Sequence, residues 1–222
     1  MKTIKRKSEM PTRKITTALL GGDVGLNWEN HFPNFRMANV SARDMQADAL
    51  RLKALLKGSN DNVSDLRQNT ADLAAQNKLI NSALNTLKSH IKIECWQNGN
   101  NLEAEYSKHG LYGTGHKLPS DNGLRQVALQ ALVSKLQEPN NPIATQAQGL
   151  AFWLDLQTRH ATLWNNSNQY RATKSVLAQH TDVLVAKITL DLKRVRKGLE
   201  IEYAGTDLAR QKRAMGFLKE SL

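Results

Sequence analysis

The sequence predicts an all-α protein, an antiparallel helical bundle built from two diverged helical-hairpin repeats, and three observations lead there. Aromatics make up only 5% of the 222 residues and prolines number five, a composition that suits helices better than sheets. Two long segments carry apolar residues at heptad spacing, the packing seam of a bundle or coiled coil. Those two segments also align with each other at a constant offset of 108 positions.

In chain order, residues 1–37 lack sustained periodicity and include Gly21, Gly22, Gly25 and Pro33. They read as a basic, largely irregular N-terminal arm, its end pinned to the bundle by Trp28, Phe32 and Phe35. Ser41 is a good N-cap for a helix carrying Met45, Ala49, Leu52 and Leu56, and Gly58 is its expected stop. A second helix is expected from Asn60-Asp61, with the seam Leu66, Thr70, Leu73, Asn77, Ile80, Leu84, Leu87, Ile91 and Cys95. Its polar members, Thr70 and Asn77, would fix register at some cost in stability.

Asn98-Gly99-Asn100-Asn101 ends this helix, and a short helix over 102–108 follows. The Gly110-to-Gly115 stretch reads as a flexible link. Ser120 or Asp121 caps a helix to about Gln137, ended by Pro139 and Pro142. A further helix is expected from about Ala144, pausing at Asn165-Asn166-Ser167-Asn168. The next carries the seam Thr181, Leu184, Ile188, Leu192, Val195, Leu199 and Tyr203. Gly205 then stops it, and Asp207 caps a last helix to about Glu220.

At the offset of 108, Ile80 meets Ile188, Leu84 meets Leu192, Leu87 meets Val195, Ile91 meets Leu199, and Ile93-Glu94 meets Ile201-Glu202. With two residues dropped from the loop, Gly99-x-x-Leu102 falls on Gly205-x-x-Leu208, and Gly110-Leu111 on Gly216-Phe217. Any two heptad helices share a seam by chance, but ordered glycines and an Ile-Glu pair are harder to match together. The expected organisation is therefore an arm over 1–37, a repeat unit over 38–111, a linker with a helix over 112–143, and a second repeat unit over 144–222. The two units are expected to pack as one bundle.

A helix break, a long helix, then Gly-(Asp/Asn)-x-Leu, a short helix and Gly-Phe resembles a group of uncharacterised bacterial helical-bundle proteins. Some of those carry a fibronectin-type-III-like domain after the bundle. The resemblance covers Phe32-Pro33 to Leu111 and, more loosely, 144–217. It implies architecture only and lends no site.

Chemistry is sparse. The six histidines form no His-x-x-x-His, His-Glu-x-x-His or Glu-x-x-His pattern, and the single Cys95 permits no thiolate cluster and no internal disulfide. Cys95 reads as a small core side chain rather than a nucleophile. Trp153 and Trp164 read as packing residues, and the glycine run at 110–115 lacks the Lys-Ser/Thr of a phosphate loop. No catalytic, cofactor-binding or metal-binding residue is assigned, and a non-enzyme without cofactor is expected. No apolar run suits a secretory signal or a membrane span, so a cytoplasmic location without membrane contact is expected.

Charge is the remaining signal. The net charge is +11. Lys2, Lys5, Arg6, Lys7, Arg13 and Lys14 face only Glu9 in the first fourteen residues, and Lys193, Arg194, Arg196 and Lys197 open a basic C-terminal quarter. These ten are candidate nucleic-acid contacts. The alternative is a solvated tail and an ordinary charged helix face. Two functions follow: a structural or protein-interaction bundle with a protein partner or a second copy, and, as the alternative, a nucleic-acid-associated accessory protein.

Overall fold

The structure, a computed structural model, describes residues 13–113, 115–203 and 207–217. All six elements among them are helices: α1 (Lys14–His31), α2 (Ala42–Asn98), α3 (Leu102–Lys108), α4 (Asn122–Leu136), α5 (Leu150–Glu202) and α6 (Asp207–Met215). The protein is all-α, and no helix among the described residues is long and apolar enough to cross a membrane.

Two expected caps are in place: Ser41 Oγ accepts from the Asp44 amide at 3.1 Å, and Asp121 caps α4 through the Leu124 amide. Asn101, expected only as part of the break before α3, caps that helix through the Ala104 amide. The bounds of α3 and α4 fall within one residue of expectation. The last helix ends at Met215, and the stretch from 218 on, where its expected end lay, is outside the described residues.

Four expectations are corrected. Residues 14–31, taken as irregular, form α1. Its glycines are used for close approach: a Cβ at Gly21 would lie 2.8 Å from Ile188 Cγ2, and one at Gly25 2.8 Å from the Ala42 carbonyl oxygen. Gly58 does not stop a helix. It sits inside the 57-residue α2 with open space around its Cα, so it costs only the ~1 kcal/mol of a helical glycine, which a long helix absorbs. The Asn-rich stretch 165–168 likewise lies within the 53-residue α5. Tertiary bonds hold it there, since Asn69 Nδ2 donates to Leu163 O (2.9 Å) and to Ser167 Oγ (2.7 Å). In turn α5 begins at Leu150 rather than Ala144, after a series of turns through Ile143 and Gly149.

Contacts divide the chain into two compact units that differ from the expected 38–111 and 144–222. One takes in the described residues up to Asn62 and from Thr173 on, and the other is Val63–Ala172. The first unit thus holds α1, the start of α2, the end of α5, and α6, with α1 packed on α6. Its core is built from Ala18, Val24, Trp28, Phe32, Phe35, Met45, Leu52, Ile188, Leu192, Val195, Leu199, Met215 and Phe217. The indole of Trp28 donates to the Phe35 carbonyl at 2.9 Å, so the three aromatics of residues 28–35 are tied inside this core.

The second unit holds the rest of α2, α3, α4 and the start of α5, with α3 packed on α4. Ile80, Leu84, Leu87, Ile91 and Cys95 are buried against Leu129, Leu132, Leu136, Trp153 and Leu156. The α2 seam is shifted by one residue at its start. Asn69 and Gln76 are buried, whereas Thr70 is exposed and turns back to the Leu66 carbonyl of its own helix.

Candidate functional site

Three features of the surface and interior carry chemistry. The first is the set of basic candidates. Lys2, Lys5, Arg6 and Lys7 lie outside the described residues. Arg13 is the N-cap residue of α1, and Lys14 pairs with Asp182 of α5. Arg194 pairs with Asp191 at 3.1 Å, and Arg196 lies 3.3 Å from Glu200, which also takes Lys212 at 2.9 Å. Together Lys212 and Arg196 hold the Glu200 carboxyl below its ordinary range. The C-terminal basic segment is therefore laced with its own carboxylates, and of the four candidates there only Lys193 and Lys197 are exposed with no carboxylate partner among the described residues.

The second feature is a polar layer inside the second unit. Arg125 of α4 is 5% exposed and has no carboxylate partner among the described residues. Its Nε donates to the Pro119 carbonyl (2.7 Å) and its Nη1 to Asn77 Oδ1 (2.7 Å), and Asn77 Nδ2 donates to Asn122 Oδ1 (3.0 Å). Next to it His160 of α5 is fully buried, with Nδ1 2.8 Å from Gln126 Oε1. Because Oε1 only accepts, Nδ1 carries the proton in this arrangement. His109 is also buried and donates from Nδ1 to the Glu105 carbonyl at 2.7 Å.

Burial lowers the affinity of both imidazoles for a proton, and the Arg125 charge adds to this at His160. Both therefore take up a proton less readily in the fold than in the unfolded chain, where an imidazole titrates near 6.5. The unfolded state therefore binds more protons below that pH, and stability must fall as pH drops through 6.5. The expected slope is at most about 1.4 kcal/mol per pH unit for each histidine. Urea unfolding at pH 7.5 and 5.5 measures it, and His160→Gln should remove one histidine's share of the slope.

The third feature is apolar side chains facing outward. On α5, Val176 (50% exposed), Val183 (66%) and Leu190 (48%) recur every seven residues, with Gln179 and the exposed Ala186 between them. This 3-4 spacing is a second heptad seam, on the side of the helix opposite Thr181, Leu184, Ile188, Leu192 and Val195. Ile15, Leu19 and Leu26 form a similar outward stripe on α1 of the same unit. The alternation of an inward and an outward heptad on one helix is legible in the sequence, but only burial tells which of the two faces the core.

Elsewhere the surface offers shallow open grooves. One, of about 470 Å³, lies between Gln76 and Leu79 of α2 and Thr158 and Thr162 of α5 in the second unit. The other, about 570 Å³, is lined by Phe32, Met37 and Val40 of the first unit. Among the described residues no group of three His, Cys, Asp or Glu side chains converges as a metal site would require. Cys95 is buried, and burial, with Glu105 and Glu94 nearby, pushes its thiol up and away from thiolate character. No protein-family model, no curated protein and no solved structure matches this chain.

Proposed function

We propose that the protein is a non-enzymatic interaction protein that associates with a second copy of itself through the outward seam of α5. The observation that carries this reading is the heptad Val176-Val183-Leu190, apolar and exposed on a helix whose other seam is already filled. Apolar residues scattered singly on a surface need no explanation, but a periodic stripe asks for a partner helix. The flanking charges are taken within the chain, Asp182 by Lys14 and Lys187 by Asp48, so the apolar stripe itself is what a second copy would cover.

Static light scattering tests the proposal. The chain is expected to run at twice its monomer mass in a concentration-dependent way, and Val183→Glu/Leu190→Glu is expected to run as a monomer with unchanged helicity. A wild-type chain that stays monomeric at high concentration contradicts it.

The same reading takes the chain as an internal duplication in an antiparallel helical arrangement, with repeats longer than 38–111 and 144–222. What supports it is that α1 and α4, and α2 and α5, start 108 positions apart. Burial keeps the register: Thr17, Gly21, Val24, Gly25 and Trp28 of α1 correspond to Arg125, Leu129, Leu132, Val133 and Leu136 of α4, all buried. Phe35 corresponds to Ile143, Met45 to Trp153 and Leu52 to His160, again all buried. The contacts correspond as well, α1 with α6 and α4 with α3. Each compact unit then takes the first half of one copy and the second half of the other, as in a domain-swapped dimer whose two chains have been joined. The polar layer belongs to the second unit alone, since Thr17 and Leu52 stand where Arg125 and His160 do.

A further inference from the structure

We propose that the flank of α2 bearing Lys88, Lys92 and Trp96, with the adjoining Tyr112–Lys117 turn, is a binding surface for single-stranded nucleic acid. It is independent of the α5 seam and distinct from the basic arm and the C-terminal helix.

Trp96 is 85% exposed, far more than an indole with a structural role. Lys88, Lys92 and Trp96 follow one another at four-residue steps and so lie along one side of α2, over about 12 Å. The inward positions Ile80, Leu84, Leu87, Ile91 and Cys95 occupy the neighbouring face. The turn reaches the same flank, because Lys88 Nζ donates to the Gly115 carbonyl at 2.6 Å. Tyr112 and Lys117 exchange both backbone hydrogen bonds at 3.2 Å, so their side chains project from the same face of the turn. Tyr112 is 55% exposed.

No carboxylate among the described residues pairs with Lys88, Lys92 or Lys117. Two acids of this region have other partners: Glu103 lies 3.3 Å from His116, and Glu94, on the other flank of α2, takes Asn98. Lys88 and Lys117 are close enough to lower the proton affinity of Lys88, on top of its burial. An anion between them relieves that repulsion.

Two exposed rings, one on α2 and one on the turn that Lys88 ties to it, with ammonium groups of Lys88, Lys92 and Lys117 that no carboxylate among the described residues takes, match a strand whose bases stack while its phosphates meet lysines. A duplex hides its base faces and would leave both rings unused. A membrane surface would favour a continuous apolar side, whereas here Asn85 and Ser89 share the exposed face with the lysines.

The test is fluorescence anisotropy of a labelled twelve-nucleotide oligouridylate with the full chain, between 50 and 200 mM salt. Binding is expected to weaken as salt rises and to exceed binding of a duplex of equal length. Trp96→Ala and Tyr112→Ala should each weaken it about tenfold. Lys92→Gln/Lys117→Gln should lower the salt slope by about 1.4, two phosphates' worth. All four positions are exposed, so circular dichroism should show unchanged helicity. Absence of binding by the wild type overturns the proposal. So does wild-type affinity in the Trp96 and double-lysine variants, or loss of binding when only Lys2, Lys5, Arg6 and Lys7 become Gln. Capture by phosphatidylserine vesicles without oligouridylate binding assigns the surface to a membrane instead.

Discussion

Gly110→Ala should destabilise the Val63–Ala172 unit by about 2–4 kcal/mol. Gly110 follows α3 at φ +72°, a left-handed conformation that costs an alanine about 1–2 kcal/mol. A Cβ there would also lie 2.6 Å from the Ala128 carbonyl oxygen of α4, and a backbone atom cannot swing aside as a side chain would. The glycine is what lets α3 turn back and Leu111, 1% exposed, reach the core. Gly99 is the internal control. Its φ is +67°, but its Cβ would meet nothing within 4 Å, so Gly99→Ala should cost only the conformational share. Chemical denaturation of both variants separates the two contributions, and equal losses would show that the contact with α4 is unimportant.

Arg125→Ala is expected to cost a similar amount, about 2–4 kcal/mol, for a different reason. Its removal leaves the Pro119 carbonyl and Asn77 Oδ1 without their donor inside the fold. Each such orphaned acceptor costs about 1–3 kcal/mol, and water can reclaim part of that where the layer meets the surface. Replacing both partners with apolar residues should be gentler than removing one, so Asn77→Leu/Arg125→Leu should recover part of the loss. If the double variant is less stable than Arg125→Ala, the layer contributes more than paired desolvation. Thr17, at the corresponding place in the first unit, keeps its hydroxyl on the Arg13 carbonyl of its own helix, and Thr17→Ala should cost less than about 1 kcal/mol.

These two residues also mark where the sequence was legible and where it was not. Periodicity located both seams, since Ile80 to Cys95 and Thr181 to Leu199 repeat at helical spacing and are buried almost to the last residue. Caps located helix starts at Ser41 and Asp121, which act through side-chain oxygens that local sequence displays, and Asn101 does the same for α3 without having been read as a cap. Interruptions misled, because the penalty of Gly58 is local and small while the neighbouring turns are held by tertiary contacts. Glycine also misled in α1, where Gly21 and Gly25, four apart, are a contact stripe rather than a sign of irregular chain. That spacing was the available signal for α1.

The candidate surfaces were less legible still. Trp96 lies one residue beyond Cys95, the last seam position, and nothing local distinguishes an indole that turns inward from one left in solvent. Val176, Val183 and Leu190 satisfy a heptad as well as the buried seam does, and the pattern cannot say which stripe is covered. The basic candidates Arg194 and Arg196 are paired with Asp191 and Glu200, three and four residues away on the same helix, a pairing that sequence does display.

The most direct test of self-association through α5 is site-specific cross-linking. In a Cys95→Ala background, Val183→Cys places one thiol on the outward seam, and Ser89→Cys places one on an exposed part of α2 outside it. Parallel, in-register pairing sets position 183 against its counterpart, so a short bis-maleimide should convert the Val183→Cys chain to a covalent dimer and leave the Ser89→Cys chain monomeric. Equal cross-linking of the two variants, or none at position 183, would contradict the account.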